Sequence, residues 1–375
     1  MTEQRILMAG DGDYSALDQY FDSIGSRKVL LVCGGSIRFQ KINGYFLTLE
    51  ERKGIKVVRF SDYAPNPLYE SVVKGVKVLH ETGCDTVVAV GGGSAMDVAK
   101  CIKLYSNMDD TVNYLKQEIV PNDIPFIAVP TTAGTGSEAT RFAVIYYEGV
   151  KQSVTHVSGI PGAVLWDSSV LTSLPAYHKK CALLDALCHA IESFWSVNST
   201  DESRAYSDEA IRIIMEHKDA YLAGDASTHM QMLRAANLAG RAINLAQTTA
   251  GHAMCYKVTS LFGTAHGHSV LLCNRILFPW MLQNTEKCID PRGEAYLRQT
   301  LHKIAQAMGF AQAGEAAAYL EELRVQMGLS VPEASAEELE IMCAGVNPIR
   351  LRNFPVALDE DTIRSLYERI VTVKQ

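Results

Sequence analysis

The chain has 375 residues, 47% of them hydrophobic and 21% charged, with a formal net charge of −7. That length suits about two domains, each with a core of its own. A net negative charge without any basic block removes the electrostatic footing for nucleic-acid binding.

The first residues, "MTEQRILMAGDG", show no basic region followed by an apolar one, so no signal peptide is expected. No apolar run reaches the roughly 18 residues of a membrane span. Downstream, "KVLLVCGGS", "GIKVVRFSDY", "DTVVAVGGGS" and "IPFIAVPTTAGTGSE" each read as a buried strand running into a loop of small residues. Between them, "PLYESVVKGVKVLHETG" and "AMDVAKCIKLYS" place apolar residues three and four apart, the spacing of helices. Strands alternating with helices predict a mostly parallel sheet wrapped by helices, with ligands at the carboxyl ends of the strands. After "LTSLPAYHKKC" the pattern turns helical, as in "DESRAYSDEAIRIIMEHKDAYL" and "AEELEIMCAGV". The expectation is an α/β domain over residues 1–175 and an all-helical domain over 176–375, meeting near Pro175, with chemistry in a cleft between them. The nine cysteines form no CxxC pair, which suits buried thiols in a reducing cytoplasm better than disulfides.

Two stretches carry chemistry in the first half. "AVGGGSAMDVAK" puts Gly91, Gly92, Gly93 and Ser94 between a strand and a helix, where backbone amides can approach an anion. It is not the GxGxxG fingerprint, and alone it is equally a tight turn. The second loop, "PTTAGTGSE", follows one strand later, and two such loops at neighbouring strand ends favour a phosphate-bearing cofactor. In the second half, Asp185 and His189 of "LLDALCHAIES" are four apart and share a helix face. Alone, such a pair is most often a hydrogen-bonded one. His252 and His266 change that balance. One carboxylate and three imidazoles suit Fe(II) or Zn(II) with a position left for a substrate oxygen. Gly263, just before His266, lets the chain turn back. His268 reads as a supporting or packed histidine ahead of the alternative of a fifth ligand. His80, His156, His178, His217, His229 and His302 receive no role.

Taken in order, "GGGSAMDVAK", "PTTAGTGSEAT", "LLDALCHAIES" and "GTAHGH" resemble the iron-dependent (group III) alcohol dehydrogenases over about residues 25 to 290. The resemblance implies a dehydroquinate synthase-like fold: a dinucleotide-binding α/β domain followed by an all-helical metal domain. It implies Asp185, His189, His252 and His266 as ligands of one divalent ion, Fe2+ or Zn2+. It also implies Gly91, Gly92, Gly93 and Ser94 at the pyrophosphate. Thr131, Thr132 and Thr135 would line the cofactor, joined by Asp97, Asn66 and Lys151. A homodimer or larger assembly is implied as well, and the cysteine usage points to the cytoplasm. Relatives often carry a histidine four residues after the ligand matching His252. Here Tyr256 stands in that place, either bonding the substrate oxygen and relaying a proton or filling the missing histidine's space.

"GHAMCYK" with "EATRFAVIYY" is similar to the phosphonoacetaldehyde reductase branch of the family. That implies reduction of phosphonoacetaldehyde; Lys257 beside His252 and Arg141 beside the cofactor loop would clamp its anionic tail, unless Lys257 points outward to solvent. Alternatives are a carboxylated aldehyde such as succinic semialdehyde, a neutral one such as butanal, or a dehydroquinate synthase-like lyase. A non-catalytic scaffold is disfavoured by the intact motifs. Gly34, Gly35 and Ser36, after the strand "VLLVC", offer no carboxylate to repel a 2′-phosphate, so NADP(H) is expected ahead of NAD(H).

Overall fold

The computed structural model describes residues 4–10 and 12–374. The chain forms two units. One is Met1–Leu174 with Gly224–Leu233, and the other is Pro175–Ala223 with Arg234–Gln375.

The first unit contains strands β1 (Arg5–Ala9), β2 (Lys28–Cys33), β3 (Lys56–Phe60), β4 (Thr86–Gly91), β5 (Phe126–Pro130), β6 (Phe142–Tyr147), β7 (Val150–Thr155) and β8 (Ala163–Asp167). Six of them pair in parallel in the order β1-β8-β5-β4-β2-β3. Their sequences explain why both faces are covered. Leu30, Val32, Val87, Ala89, Phe126 and Ala128 pack into one core. Their alternating neighbours Val29, Leu31, Val88, Val90, Ile127 and Val129 pack into another. Apolar residues on both sides of every central strand require helices on both faces. Those helices are α1 (Ser15–Ile24), α2 (Lys41–Leu47), α3 (Leu49–Lys53), α4 (Tyr69–Thr82) and α5 (Gly93–Tyr105). The chain leaves β2 towards β3 on one side and returns to β4 on the other. The crevice at the carboxyl ends of β2 and β4 is therefore a topological switch point. The stretch after the second glycine-rich loop is not part of this sheet: β6 and β7 form a separate antiparallel hairpin.

The second unit is helical, as expected. It holds α6 (Ala176–Trp195), α7 (Asp201–Leu222), most of α8 (His229–Ala246), α9 (Ala250–Phe262), α10 (His266–Gln283), α11 (Glu294–Ala307), α12 (Ala313–Gln326), α13 (Ala336–Ala344), α14 (Pro348–Leu351) and α15 (Glu360–Ile370). A two-stranded parallel ribbon, β9 (Glu333–Ala334) with β10 (Thr372–Val373), completes it. Every residue of α6 from Leu183 to Trp195 is buried, as are Gly267–Asn274 of α10. Helices apolar on all sides belong in the middle of a bundle, and these two form the axis of this one. Among the described residues no helix is long and apolar enough to cross a membrane.

Candidate functional site

In the α/β unit, the loops after β3, β2, β4 and β5 lie side by side, because those strands are neighbours in the sheet. They carry Asn66, Gly34–Ser36, Gly91–Ser94 and Thr131–Thr135 in that order. α5 starts at Gly93, and its N-cap, Gly92, offers no side-chain bond to the first-turn amides. Those amides keep their donors for a ligand. The loop is also tightly packed from behind. A Cβ at Gly91 would stand 2.5 Å from Ala95 Cβ, and one at Gly93 would stand 3.2 Å from Thr135 Cγ2. Thr131 is buried and its N–H donates to Gly91 O, which joins the two loops.

Past β2, Gly35 opens a short 3-10 turn, and Gly35 and Ser36 are exposed. The Tyr63 hydroxyl lies behind Gly34, 3.8 Å from where its Cβ would be, and has no hydrogen-bond partner among the described residues. Arg38 is exposed over the Phe39 ring. Asn66 is exposed at φ 56°, a left-handed conformation that asparagine tolerates. Lys151 stands on β7 opposite Tyr146. Asp97 points elsewhere than its neighbours in the motif. Its carboxylate accepts from Ser137 Oγ and Val144 N, tying α5 to β6. Burial raises its pKa, with Lys100 acting against the shift.

In the helical unit, Asp185 and His189 come from one face of α6, His252 from the first turn of α9, and His266 from the first residue of α10. Asp185, His189 and His252 have ligand atoms within 4.8 Å of one another. Asp185 Oδ1 faces three imidazole Nε2 atoms, at 3.9 Å in His189, 3.6 Å in His252 and 3.7 Å in His266. These separations are too long for hydrogen bonds. They sit near the roughly 3.3–3.6 Å edge of a tetrahedron with metal–ligand bonds of about 2.0–2.2 Å. Asp185 Oδ1 and His252 Nε2 are buried without a hydrogen-bond partner among the described residues. Such orphaned atoms, converging from several elements, fit a divalent ion.

Two glycines bring α10 into place. Gly263 ends α9 at φ 65°, which allows the reversal. Gly267 lies against α6, where a Cβ would stand only 1.9 Å from Cys181 O and 2.9 Å from Asp185 N. No side chain fits there, and that contact sets His266 beside Asp185. His266 is the exposed member of the set, with 39% of its side chain accessible against 2–7% for His189 and His252.

The sequence reading missed Glu192, which is fully buried one turn beyond His189. Its carboxylate accepts from His252 Nδ1 at 2.7 Å, Thr249 N at 2.7 Å, Thr249 Oγ1 at 2.8 Å and Asn274 Nδ2 at 2.9 Å. By taking the Nδ1 proton, Glu192 leaves His252 Nε2 as the ligating atom. Burial favours the neutral acid, but the His252 charge and these bonds outweigh it and hold the Glu192 pKa at about 2. Asp185 is likewise driven below the usual carboxylate range, its burial overcome by the three imidazoles. Burial pulls the His252 pKa down, yet Glu192 and Asp185 lift it to about 9. Two buried carboxylates therefore demand positive charge at this spot, and a divalent ion answers that demand. The available signal was spacing: Glu192 is three and seven residues after His189 and Asp185, on the same face of α6.

Tyr256 stacks on His266, ring centroids 5.9 Å apart and 19° from parallel. Its hydroxyl accepts from Arg350 Nη1 at 2.6 Å. Burial raises the phenol pKa, with Arg350 opposing the shift, so the hydroxyl keeps its proton near neutrality. Lys257 is half-buried on the next position of α9. Arg141, its expected partner, belongs to the α/β unit and lies over the Phe142 ring. His268 bonds Tyr177 Oη and Ser330 O through its two ring nitrogens, a supporting place in the bundle.

Two family models cover the chain. "Iron-containing alcohol dehydrogenase" matches residues 5–168, and "Fe-containing alcohol dehydrogenase family, C-terminal" matches residues 181–371. The chain is 32% identical over 316 residues to phosphonoacetaldehyde reductase of Streptomyces viridochromogenes, spanning 80% of each protein. It is 28% identical to long-chain-alcohol dehydrogenase 1 of Geobacillus thermodenitrificans, over 95% of this chain and 93% of that one. Among solved structures, sulfoacetaldehyde reductase from Bifidobacterium kashiwanohense in complex with NAD+ matches the fold with a TM-score of 0.86. The identity is 23%, over 99% of this chain and 98% of the other.

Proposed function

This chain belongs to the iron-containing alcohol dehydrogenase family, oxidoreductases that act on CH–OH groups with NAD(P), and we propose that it reduces phosphonoacetaldehyde to 2-hydroxyethylphosphonate with NADPH. The observation that carries the chemistry is the single carboxylate oxygen of Asp185 facing three imidazole nitrogens at 3.6–3.9 Å. The choice of aldehyde is supported by the 32% identity to a reductase of that compound.

Asp185, His189, His252 and His266 would hold Fe(II) or Zn(II). Gly91–Ser94 and the α5 amides would take the pyrophosphate, with Thr131, Thr132 and Thr135 beside it. When bound, the ion supplies Lewis acidity towards the carbonyl oxygen and the dinucleotide supplies the hydride. Glu192 fixes the His252 ring and its tautomer. Tyr256, protonated and held by Arg350, offers its hydroxyl to the oxygen that gains a proton as the alcohol forms. Gly34, Gly35 and Ser36 accept a 2′-phosphate without repulsion, and the Tyr63 hydroxyl behind Gly34 supplies a donor.

An NADPH-oxidation screen of metal-loaded protein tests this reading. Phosphonoacetaldehyde, sulfoacetaldehyde, succinic semialdehyde and butanal form the panel. The highest kcat/KM is expected on phosphonoacetaldehyde, with one NADPH consumed per aldehyde. A higher value on any other member would replace the substrate. Conversion of a substrate without net NADPH consumption would indicate lyase chemistry.

A further inference from the structure

A cation that no acid neutralises among the described residues stands one aromatic ring away from the metal cluster. Arg350 donates to Tyr256 Oη at 2.6 Å, and its guanidinium carbon lies 5.1 Å from the Tyr256 ring centroid. The Tyr256 ring in turn stacks on His266, the exposed member of the cluster. Lys257, beside Tyr256 on α9, runs its stem across Gly345. A Cβ at Gly345 would stand 2.5 Å from Lys257 Cε and 2.6 Å from Lys257 Cγ. One stretch of six residues, from Gly345 to Arg350, thus meets α9 at both Lys257 and Tyr256.

Most other arginines of this unit are neutralised, with Arg241, Arg352 and Arg369 the exceptions among the described residues. Arg212, Arg275, Arg292, Arg298, Arg324 and Arg364 each pair with a carboxylate. Among the described residues, neither Arg350 nor Lys257 has an acid within ion-pair distance. Arg350 differs from a hydrated surface arginine because the phenol and the ring fix it in place. That hydrogen bond uses one of five N–H donors, and the remainder of the planar fork, which meets no other acceptor among the described residues, can clamp a tetrahedral or planar anion.

We propose that Arg350 reads the anionic tail of the substrate, with Lys257 as the second cation. This deepens the reading of an anionic aldehyde and rests on it. The carbonyl oxygen would meet the metal cluster, while a phosphonate one methylene away meets the guanidinium. Arg350 belongs to the same helical unit as the cluster, and its contact with Tyr256 sets it beside that cluster.

The test compares Arg350→Met and Arg350→Lys with the wild-type chain in two assays. The first reads KM and kcat of the metal-loaded enzyme on phosphonoacetaldehyde and on butanal. The second is calorimetric titration of the metal-free chain with ethylphosphonate, which has the anionic tail but no carbonyl. Arg350→Met is expected to raise KM for phosphonoacetaldehyde about 10- to 100-fold, the worth of a charge-assisted hydrogen-bond pair. The loss should exceed that on butanal at least tenfold. Ethylphosphonate binding should weaken in parallel, and Arg350→Lys should recover part of both. Equal losses on the two aldehydes would make Arg350 only a brace for Tyr256 and overturn the proposal, as would no loss on either. Circular dichroism excludes misfolding of the Met variant, and the Lys variant repeats the test with charge retained. If wild type prefers succinic semialdehyde but Arg350→Met hits it selectively, the phosphonate substrate falls and the tail reader stands. A wild-type preference for butanal over every anionic aldehyde would overturn both.

Discussion

In the α/β unit, the loops at the carboxyl ends of β2, β4 and β5 present peptide N–H groups, glycines and threonine hydroxyls. In the helical unit, the cluster is built from a carboxylate and imidazoles carried on α6, α9 and α10. A site made of backbone depends on what is left out, since an added methyl group blocks the approach of a ligand. A site made of side chains depends on specific atoms, and each atom depends on helix docking that holds it in place. The two halves should therefore fail differently under substitution.

The largest effect belongs to the side-chain site. His189→Ala and His266→Ala should each lower turnover by about three orders of magnitude or more, since several kcal/mol of charge stabilisation depend on a complete ligand set. Metal analysis should show the ion lost, while circular dichroism stays near that of wild type. His266→Ala is the cleaner experiment because its ring is the exposed one. Full activity in a metal-free preparation would break the comparison at its root.

Glu192→Gln keeps the shape of the buried network but removes its charge. It should weaken metal affinity roughly 10- to 100-fold, the usual cost of losing a group that orients a ligand. Competition with a chelator measures it, and an unchanged affinity would show that the His252 ring is held by packing alone. In the backbone site, Gly34→Asp should move the ratio of kcat/KM for NADPH over NADH about tenfold towards NADH. A wild-type preference for NADH would remove the premise. The smallest effect is expected from Gly93→Ala, whose Cβ would crowd Thr135 at 3.2 Å. It should raise KM for the dinucleotide about fivefold and leave metal content unchanged. A loss of metal there would mean that the two sites are not separable in this way.

What the sequence made legible follows from the same contrast. Strand ends rich in glycine, and Asp185 with His189 one turn apart, are local patterns, and local periodicity is written directly in the chain. The parallel sheet and the helical bundle were readable for the same reason. Glu192 was in plain view inside "LLDALCHAIES", but an acid on a helix looks the same whether it faces water or a buried imidazole 60 residues away. Arg350 was invisible because its partner, Tyr256, lies 94 residues earlier. The Gly224–Leu233 segment reads as ordinary helical sequence, yet it groups with the α/β unit through contacts made far along the chain. Asp97 sits in a cofactor motif by position, while its carboxylate is engaged by the hairpin strand that follows.

The exposure of His266 bears on kinetics as well as on composition. It is the first residue of α10, and the ends of helices open far more often than their middles. An ion held by these four residues would have three buried attachments and one, His266, that is exposed at a helix start. Exchange with solvent would then run through that end, one imidazole letting go first. The lifetime of the bound ion would be set by the local opening of a single helical turn, and the fold could stay intact while its metal turns over.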